Sequence, residues 1–439
     1  MSELMPIIDA TVGVNPQLEA LCLRSLSDVS PEVEERTREI VNRVREYGDA
    51  ALVELTRRFD CPEFTAEQIV VGPDEIRLAY ERIPSEWIGA FRRARENVLN
   101  YHQRLAENSW LDEFDGVFLG QRIRPIASAG AYIPAGRAPL PSTLCMTVMP
   151  ARAAGVPRIA VAAPPNEDGT IDPYIAAAAS ECGVDELYRM GGAQAVAAMA
   201  YGTETVEPVE KIVGPGNPYV ILAKKHVFGR VGIEALPGPS EAVIICDGSV
   251  PAEIAAADLL SQAEHTGDNT VILLTDSADF AYEVREEAYR QIPALSRDEF
   301  TARSLVDYGA IVIVADLVAA AGVSNQIAPE HLQLLVAEPM ELLQHIENAG
   351  CICLGPFSAV ALGDYAAGPS HVLPTNGTAR FSSALSTNDF VKKSSLILAT
   401  RSGLERLAPD VCTLAQAEGL TAHARSVSIR MQARTEDGD

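Results

Sequence analysis

Four of the seven histidines in this sequence stand beside acids, glycine or proline, where a helix or strand is expected to end. They are His265 in DLLSQAEHTGD (258–268), His331 in IAPEHLQLLV (327–336), His371 in LGDYAAGPSHVLPT (362–375) and His423 in AEGLTAH (417–423). Imidazole binds metals and titrates near neutral pH, so these four are candidates for chemistry. The other three, His102, His226 and His345, lie within helical segments and are expected to be packing or surface residues.

A metal site is one possibility. Gln262 and His265 are three residues apart, which places them on one face of a helix. Asp364 offers a hard oxygen and His423 a second imidazole. A nitrogen and oxygen set without thiolate suits Zn²⁺, with Mn²⁺ or Co²⁺ as substitutes. A histidine at a helix C-terminus is also explained by the helix dipole. Spacing does not show that the four side chains meet, so both interpretations stay open.

Proton transfer is a second possibility. Glu330 and His331 follow Pro329, which disfavours regular helix at 328–330. An adjacent acid and imidazole can supply two proton-transfer groups with different pKa values. The alternative is a surface glutamate beside a histidine that begins the strand HLQLLV.

The Gly/Pro-rich segment 362–375 predicts a long loop that holds Asp364 and His371. Such a loop often presents functional groups on a rigid scaffold. A tight structural loop is an equal alternative.

A dinucleotide site is not evident from motifs. GPGNPY (214–219) begins as G-x-G after a strand, but Tyr219 stands where the dinucleotide fingerprint has its third glycine. The motif alone therefore does not predict a Rossmann NAD site.

The elements that must position these residues alternate along the chain. Ser30-Pro31 predicts a helix start, with a helix over 31–58 that Gly48 breaks. From residue 122 onward, short apolar runs alternate with helical segments, as in RIAVAAP (158–164), EAVIICD (241–247), TVILLTD (270–276) and AIVIVAD (310–316). Continuous apolar strands separated by helices indicate parallel sheets covered on both faces.

The predicted fold is therefore α/β, with two doubly wound, Rossmann-like domains and mostly parallel sheets. Residues 1–29 are assigned to an N-terminal arm, and 30–130 with 240–385 to a discontinuous first domain that holds the zinc and catalytic candidates. Residues 131–239 form the second Rossmann-like domain. Residues 386–439 form a small helical tail.

The composition limits the function classes. Apolar residues make up 47% of the 439 residues, which is enough for a sizeable core, and the formal net charge of −25 disfavours nucleic acid and anionic membranes as partners. The eight cysteines form no C-x-x-C pair and indicate a reducing compartment. No secretory signal or long apolar span is evident, so a cytoplasmic location is expected.

Eight long motifs together resemble the histidinol dehydrogenase family, in that family's order and over about residues 30 to 430. They are YIPAGRAPLPST, GGAQAVAAMAYG, KIVGPGNPYV, GPSE, DLLSQAEHTGD, PEHLQ, GDYAAGPSHVLPT and AEGLTAH. The resemblance implies a four-electron, NAD-dependent alcohol dehydrogenase that oxidises L-histidinol to L-histidine through bound L-histidinaldehyde, at the end of histidine biosynthesis.

The resemblance also implies roles for individual residues. It implies that Gln262, His265, Asp364 and His423 bind one Zn²⁺ per subunit, and that Glu330 and His331 are the acid–base pair. Those six residues, with Ser240, His371 and Glu418, would contact the substrate. Tyr132, Gln194 and Asn217 would contact NAD. The family is a homodimer with shared sites, in which the tail residues Glu418 and His423 act across the interface.

The sequence departs from the family pattern at Ala135, Pro218 and Ser370, which leaves room for a shifted cofactor loop or a changed pocket. Two other functions compete with histidinol oxidation. One is a related zinc- and NAD-dependent dehydrogenase of another small alcohol, such as a sulfonated propanediol. The other is a catalytically silent metal- or metabolite-binding protein on the same scaffold.

Overall fold

The computed structural model describes residues 5–11, 16–22, 30–134, 139–265 and 267–432. Its strands are β1 (Ile7–Asp9), β2 (Trp110–Phe114), β3 (Val117–Pro125), β4 (Ser128–Tyr132), β5 (Arg158–Ala163), β6 (Glu186–Arg189), β7 (Lys211–Val213), β8 (Gly232–Ile233), β9 (Glu241–Cys246), β10 (Thr270–Thr275), β11 (Gly309–Ile313), β12 (His331–Leu335), β13 (Cys351–Leu354) and β14 (Val391–Ala399).

Helices connect most of these strands. They are α1 (Pro16–Cys22), α2 (Pro31–Phe59), α3 (Pro73–Tyr80), α4 (Ser85–Arg104), α5 (Pro141–Ala154), α6 (Pro173–Glu181), α7 (Gly192–Tyr201), α8 (Pro218–Val227), α9 (Ala252–Ala263), α10 (Ala278–Gln291), α11 (Asp298–Asp307), α12 (Leu317–Ile327), α13 (Pro339–Leu342), α14 (Val360–Tyr365), α15 (Arg401–Ala417) and α16 (Thr421–Gln432).

Two parallel sheets form the framework. A six-stranded sheet has the order β1-β11-β10-β9-β12-β13, and a five-stranded sheet has the order β6-β5-β4-β7-β8. All ladders in both sheets are parallel. The predicted α/β class with mostly parallel sheets is confirmed. Part of the predicted N-terminal arm, Ile7–Asp9, adds a strand to the first sheet beside β11.

The first long helix follows its sequence signals. The Ser30 side chain accepts a hydrogen bond from the Val33 N–H, and Pro31 occupies the first turn. The helix kinks at Gly48, whose φ of 52° lies in the left-handed region. Ile40, Val41 and Leu52 are buried against the five-stranded sheet.

The helices between residues 31 and 104 pack on the five-stranded sheet. Side chains of α2 share one buried cluster with β5 and α7, while Phe91 and Val98 of α4 share a second with α5. The sequence-based grouping placed 30–130 with 240–385 instead. An amphipathic helix shows that one face is buried but not which sheet covers it, so the packing partner was not available from periodicity.

The chain divides into two compact units, Met1–Leu105 with Ile126–Phe390, and Ala106–Pro125 with Val391–Asp439. The second unit contains an antiparallel sheet of order β14-β3-β2 and the helices α15 and α16. The prediction of a wholly helical tail was therefore wrong for Val391–Ala399, which forms a strand paired with Val117–Pro125. The partner strand lies more than 260 residues upstream, so no local signal marked the pairing.

The described residues contain no helix long and apolar enough to cross a membrane. The eight cysteines divide evenly between buried and partly exposed positions. Cys61, Cys145, Cys182 and Cys246 are buried, and Cys22, Cys351, Cys353 and Cys412 are partly exposed.

The burial of one histidine leads to a prediction about the stability of the protein at acid pH. His102 in α4 is 1% exposed, and neither ring nitrogen has a hydrogen-bond partner. Burial lowers the pKa of His102 to about 4. Between the unfolded value near 6.5 and this value, only the unfolded chain takes up the proton, so stability is lost as pH falls. Between pH 7 and pH 5, His102→Leu should therefore lose up to about 2 kcal/mol less unfolding free energy than the wild type.

The measurement is the free energy of unfolding at pH 7 and pH 5 in urea. His345→Leu is the matched control because His345 is exposed. An unchanged difference between the two pH values in His102→Leu would show that His102 does not contribute to acid sensitivity.

Candidate active site

The adjacent acid and imidazole lie at the start of a central strand. Helix α12 ends at Ala328, which adopts a left-handed conformation with φ of 53°, and Pro329 cannot continue the helix. The chain then enters β12 at His331. Glu330 and His331 are both buried, at 6% and 5% exposure, so the alternative of a surface glutamate is wrong.

Glu330 is held by hydrogen bonds from the start of β9 and the residue before it. Its Oε2 accepts the Glu241 N–H at 3.0 Å, and the Ser240 hydroxyl also hydrogen-bonds the carboxylate. His331 Nδ1 lies 3.8 Å from Glu330 Oε2, and His331 Nε2 lies 3.4 Å from Asp364 Oδ1. The imidazole therefore lies between two carboxylates.

These contacts shift the pKa values in opposite ways. Burial raises the pKa of Glu330. Burial alone would lower the pKa of His331, but Glu330 and Asp364 outweigh it and raise that pKa to about 9. His331 in turn holds the pKa of Asp364 below its usual value despite burial. A cation at Asp364 would lower the pKa of His331 and favour the neutral form that a base needs.

Asp364 lies on a short helix and His371 on the loop that follows. The prediction of one long loop over 362–375 was wrong in its first part, because Val360–Tyr365 is helical. His371 Nδ1 donates to the Asp364 carbonyl at 2.9 Å, and its Nε2 lies 3.0 Å from the Thr143 hydroxyl. A carbonyl only accepts, so the neutral ring carries its proton on Nδ1 and Nε2 accepts from Thr143. Burial lowers the pKa of His371 and favours this neutral ring.

Gln262 lies in the last turn of α9, as expected, but His265 lies two residues beyond the end of the helix, so the two do not share a helix face. Gln262 is 2% exposed, and its buried Oε1 has no hydrogen-bond partner. His265 is exposed as a whole residue, but desolvation by the groups around its ring lowers its pKa by more than the charge of Asp364 raises it. Among the described residues, no group of three or more His, Cys, Asp or Glu side chains could hold a metal ion. Of the four predicted zinc ligands, the first unit contains two of these residue types, His265 and Asp364, together with the Gln262 amide.

The residues proposed to contact NAD lie around the five-stranded sheet. Tyr132 ends β4, and its hydroxyl accepts the Gly192 N–H at 3.1 Å. Gln194 is buried in the first turn of α7. Asn217 caps α8 by accepting from the Tyr219 and Val220 N–H groups at 3.0 and 3.2 Å.

The proposed catalytic residues lie at the amino ends of strands in the six-stranded sheet, and the proposed NAD contacts lie at the carboxyl ends of strands in the five-stranded sheet. His331 begins β12, and Ser240 and Glu330 immediately precede β9 and β12. Tyr132 and Asn217 follow the carboxyl ends of β4 and β7, where ligands bind in open α/β sheets. The loop of His371 is attached to α5, because the Ser370 hydroxyl donates to the Met146 carbonyl at 3.0 Å.

Glu418 and His423 lie in the second unit. Glu418 ends α15 and His423 is in the first turn of α16, and both side chains are exposed. The single chain thus brings Ser240, Asp364, His371 and the acid–base pair together in the first unit. It carries the two tail residues on a separate unit.

The departures from the family pattern have local explanations where they are described. Pro218 occupies the first turn of α8, where its missing N–H costs no hydrogen bond. Ser370 is buried and accepts the Val372 N–H at 3.2 Å in addition to its bond to α5. Ala135 lies outside the described residues.

Two site residues were missed from the sequence. Thr143 lies in PLPST without any motif that points to His371, 228 positions away. Glu241 was quoted within GPSE but not singled out. The Glu241 N–H donates to the Glu330 carboxylate, and Glu241 Oε2 accepts the Asn376 N–H at 3.1 Å. Glu241 therefore connects Glu330 to the chain that follows the His371 loop.

Buried titratable groups with shifted pKa values, held at the start of β12 in a fold with two parallel sheets, are typical of an α/β enzyme. The sequence profile of the histidinol dehydrogenase family matches residues 23–431. The chain therefore belongs to the histidinol dehydrogenase family, a family of oxidoreductases.

Individual relatives agree with this assignment. The chain is 51% identical over 396 residues to histidinol dehydrogenase of Moorella thermoacetica, covering 90% of this chain and 93% of the relative. It is 44% identical to histidinol dehydrogenase of a Synechococcus strain, covering 98% and 99%. The crystal structure of histidinol dehydrogenase from Elizabethkingia anophelis superposes with a TM-score of 0.93 at 34% identity, covering 98% and 99%.

Proposed function

We propose that the protein oxidises L-histidinol to L-histidine in two successive steps, the last of histidine biosynthesis, with NAD⁺ as the hydride acceptor in both. The observation that carries the proposal is the row formed by the buried Glu330 and His331 at the start of β12 and the half-buried Asp364 of α14. A proton acceptor and a separate carboxylate in one water-poor site suit an alcohol oxidation followed by hydration of an aldehyde.

His331 takes the hydroxyl proton as the alcohol carbon loses hydride. Its side chain is fixed by Asp364 on one side and lies beside Glu330 on the other. Glu330 then takes a proton from the water that attacks the bound aldehyde. Burial raises the pKa of Glu330, which makes it a stronger base than an exposed carboxylate. Enclosure of both groups protects the reactive aldehyde between the steps.

The residues fit a metal ion. The buried Oε1 of Gln262 has no hydrogen-bond partner, which supports a role as a metal ligand, and His265 and Asp364 would add an imidazole and a carboxylate. With His423 from the second unit, these residues would hold one Zn²⁺ per subunit. Zinc bound there would supply a Lewis acid that orients the imidazole and amine of histidinol.

Substrate and cofactor contacts follow from the same arrangement. Ser240, His371 and Glu418 would bind the substrate, together with the zinc ligands and the acid–base pair. Tyr132, Gln194 and Asn217 would hold NAD at the carboxyl edge of the five-stranded sheet, where dinucleotides bind in this architecture.

The proposed assembly is a homodimer with shared sites. Exposed apolar side chains of the second unit support it, since such a surface favours burial against a partner. They lie on all three strands of its sheet and are Trp110, Leu111, Phe114, Leu119, Leu396, Ile397 and Leu398. We propose a cytoplasmic location, in keeping with a small-molecule substrate and cysteines that form no disulfide among the described residues.

An assay of NADH formation tests the proposed function. L-Histidinol and NAD⁺ should give two NADH per histidinol consumed, and a chelator should abolish the reaction. A sulfonated propanediol assayed in parallel should give none. Turnover of the diol in place of histidinol would assign a different substrate, and no NADH with either would favour a silent binding protein.

The metal proposal makes a separate prediction. His265→Ala should lower the bound zinc from about one ion per subunit to almost none after dialysis, because it removes an imidazole and leaves three of the four proposed ligands, one of them a weakly binding amide. The measurement is metal content after dialysis, by elemental analysis. His226→Ala, a histidine of α8 outside the proposed set, is the control. Full zinc occupancy in His265→Ala would remove His265 from the ligand set.

A further inference from the structure

A buried ion pair lies behind the loop that follows β7. Lys224 of α8 and Glu234 after β8 are 0% and 4% exposed at their side chains, and Lys224 Nζ lies 2.7 Å from Glu234 Oε1. A buried ion pair is a poor source of stability, because desolvation of both charges offsets their attraction. A role other than stabilising the fold is therefore sought in the contacts of this pair.

Both charges bind the backbone of one glycine. Glu234 Oε1 accepts the Gly214 N–H at 2.8 Å, and Lys224 Nζ donates to the Gly214 carbonyl at 3.1 Å. The peptide groups on either side of that α-carbon are thus fixed by opposite members of one pair. Hydrogen bonds to charged groups are stronger than those between neutral groups.

Only glycine fits at this position. Gly214 has φ of 116°, and a β-carbon built on it would lie 2.2 Å from the Tyr132 carbonyl oxygen. The backbone of the loop therefore lies directly against the backbone of Tyr132. β4 and β7 are adjacent parallel strands, with Ala131 opposite Val213. The ion pair fixes the point where the carboxyl ends of both strands meet.

Two of the three proposed NAD contacts adjoin this point. Tyr132 is the residue against which Gly214 packs, and Asn217 follows Gly214 by three positions and caps α8. Lys224 belongs to the same helix, two turns further along. A shift of Gly214 would move the loop, the helix start and the Tyr132 backbone together.

We propose that Lys224 and Glu234 are positioning residues that hold the 214–217 loop and Tyr132 in place for the dinucleotide. The proposal rests on the assignment of NAD to this edge. Neither side chain touches the cofactor, since both are enclosed behind the loop. The pair acts on NAD affinity and leaves the chemistry at Glu330 and His331 unchanged.

The test uses the double variant Lys224→Met with Glu234→Gln in the zinc-loaded enzyme. Both replacements are uncharged and close in size, so no unpaired charge stays buried, and the bond to the Gly214 carbonyl is lost. We expect the Kd of NADH, measured by its fluorescence, and the KM of NAD⁺ to rise about tenfold, the effect of one lost hydrogen bond to a charged group. The KM of histidinol and kcat should change less than twofold.

The matched control removes an ion pair at the other edge of the same sheet. Arg158 and Glu186 begin β5 and β6 and are paired at 2.8 Å. Arg158→Met with Glu186→Gln should reduce stability without changing NAD⁺ binding. If the control variant weakens NAD⁺ binding as much as the Lys224 double variant does, the effect is general destabilisation and the proposal fails.

Two further variants separate the possible failures. Asn217→Ala reports on the cofactor site itself, so unchanged NADH affinity in that variant would overturn the assignment of NAD to this edge. Weakened affinity in Asn217→Ala with unchanged affinity in the double variant would overturn the positioning role alone. If the double variant does not fold, Glu234→Gln is measured with hydrogen exchange of peptides covering 211–220. Faster exchange there and weaker NADH binding support the proposal, and unchanged values of both refute it.

Discussion

Glu330→Gln should stop the aldehyde oxidation and largely spare the alcohol oxidation. Glutamine keeps the shape of the side chain and can still accept the Glu241 N–H, so the site should stay intact. It cannot take a proton from water, and loss of a general base typically slows a reaction by about 10²–10⁴-fold. His331 and its contact with Asp364 remain for the first step. Oxidation of supplied histidinaldehyde should therefore fall by this factor, and the first hydride transfer from histidinol by less than about tenfold.

The two steps are separated by single-turnover measurements of NADH with each substrate. Glu338→Gln is the control, because Glu338 is exposed beyond the other end of β12. It should match the wild type in both steps. Equal losses in the two steps of Glu330→Gln would mean that Glu330 serves both, and the division of labour between Glu330 and His331 would be wrong.

The framework of this fold was accessible from the sequence because its strands carry strong local signals. EAVIICD and TVILLTD are continuous apolar runs, and both become fully buried strands of the six-stranded sheet. A strand covered on both faces is mostly apolar, and the short length and β-branched residues of these runs distinguish them from buried helices. The helix 31–58 was also marked, by its cap and by the glycine at its kink.

The wrong predictions concern elements whose structure depends on residues far away in the sequence. KKSSLILA does not alternate regularly between apolar and polar residues, and it becomes a strand only by pairing with β3. The short helix Val360–Tyr365 covers fewer than two turns, so periodicity could not separate it from the loop around it. In both cases tertiary contacts decided the local structure.

The candidate site shows the same division. The chemistry of Glu330 and His331 is visible in their own motif, and both side chains are buried, with 3.8 Å between Glu330 Oε2 and His331 Nδ1. Thr143 has no such motif, and its role depends on the packing of the His371 loop against α5. Lys224 and Glu234 act from behind the loop, and a lysine in a helix with a distant glutamate predicts nothing by itself.

The trans arrangement of the tail makes the most demanding prediction. His423 and Glu418 lie on the second unit, whose sheet carries exposed apolar side chains on all three strands. If that unit completes the site of the partner, each site combines the first unit of one chain with the tail of the other. His265→Ala and His423→Ala homodimers should both be inactive. In their heterodimer one site carries both lesions and the other neither, so about half of the wild-type activity per dimer should return.

The heterodimer is obtained by co-expression of differently tagged subunits and purification through both tags. His265→Ala combined with Asp364→Ala is the matched control. Both lesions then lie in first units, so each of the two sites loses one ligand and no activity should return. Subunit composition is verified by mass spectrometry before and after the assay, because exchange would return inactive homodimers. A verified His265→Ala and His423→Ala heterodimer without activity would place His423 in the site of its own chain, since both sites would then be defective.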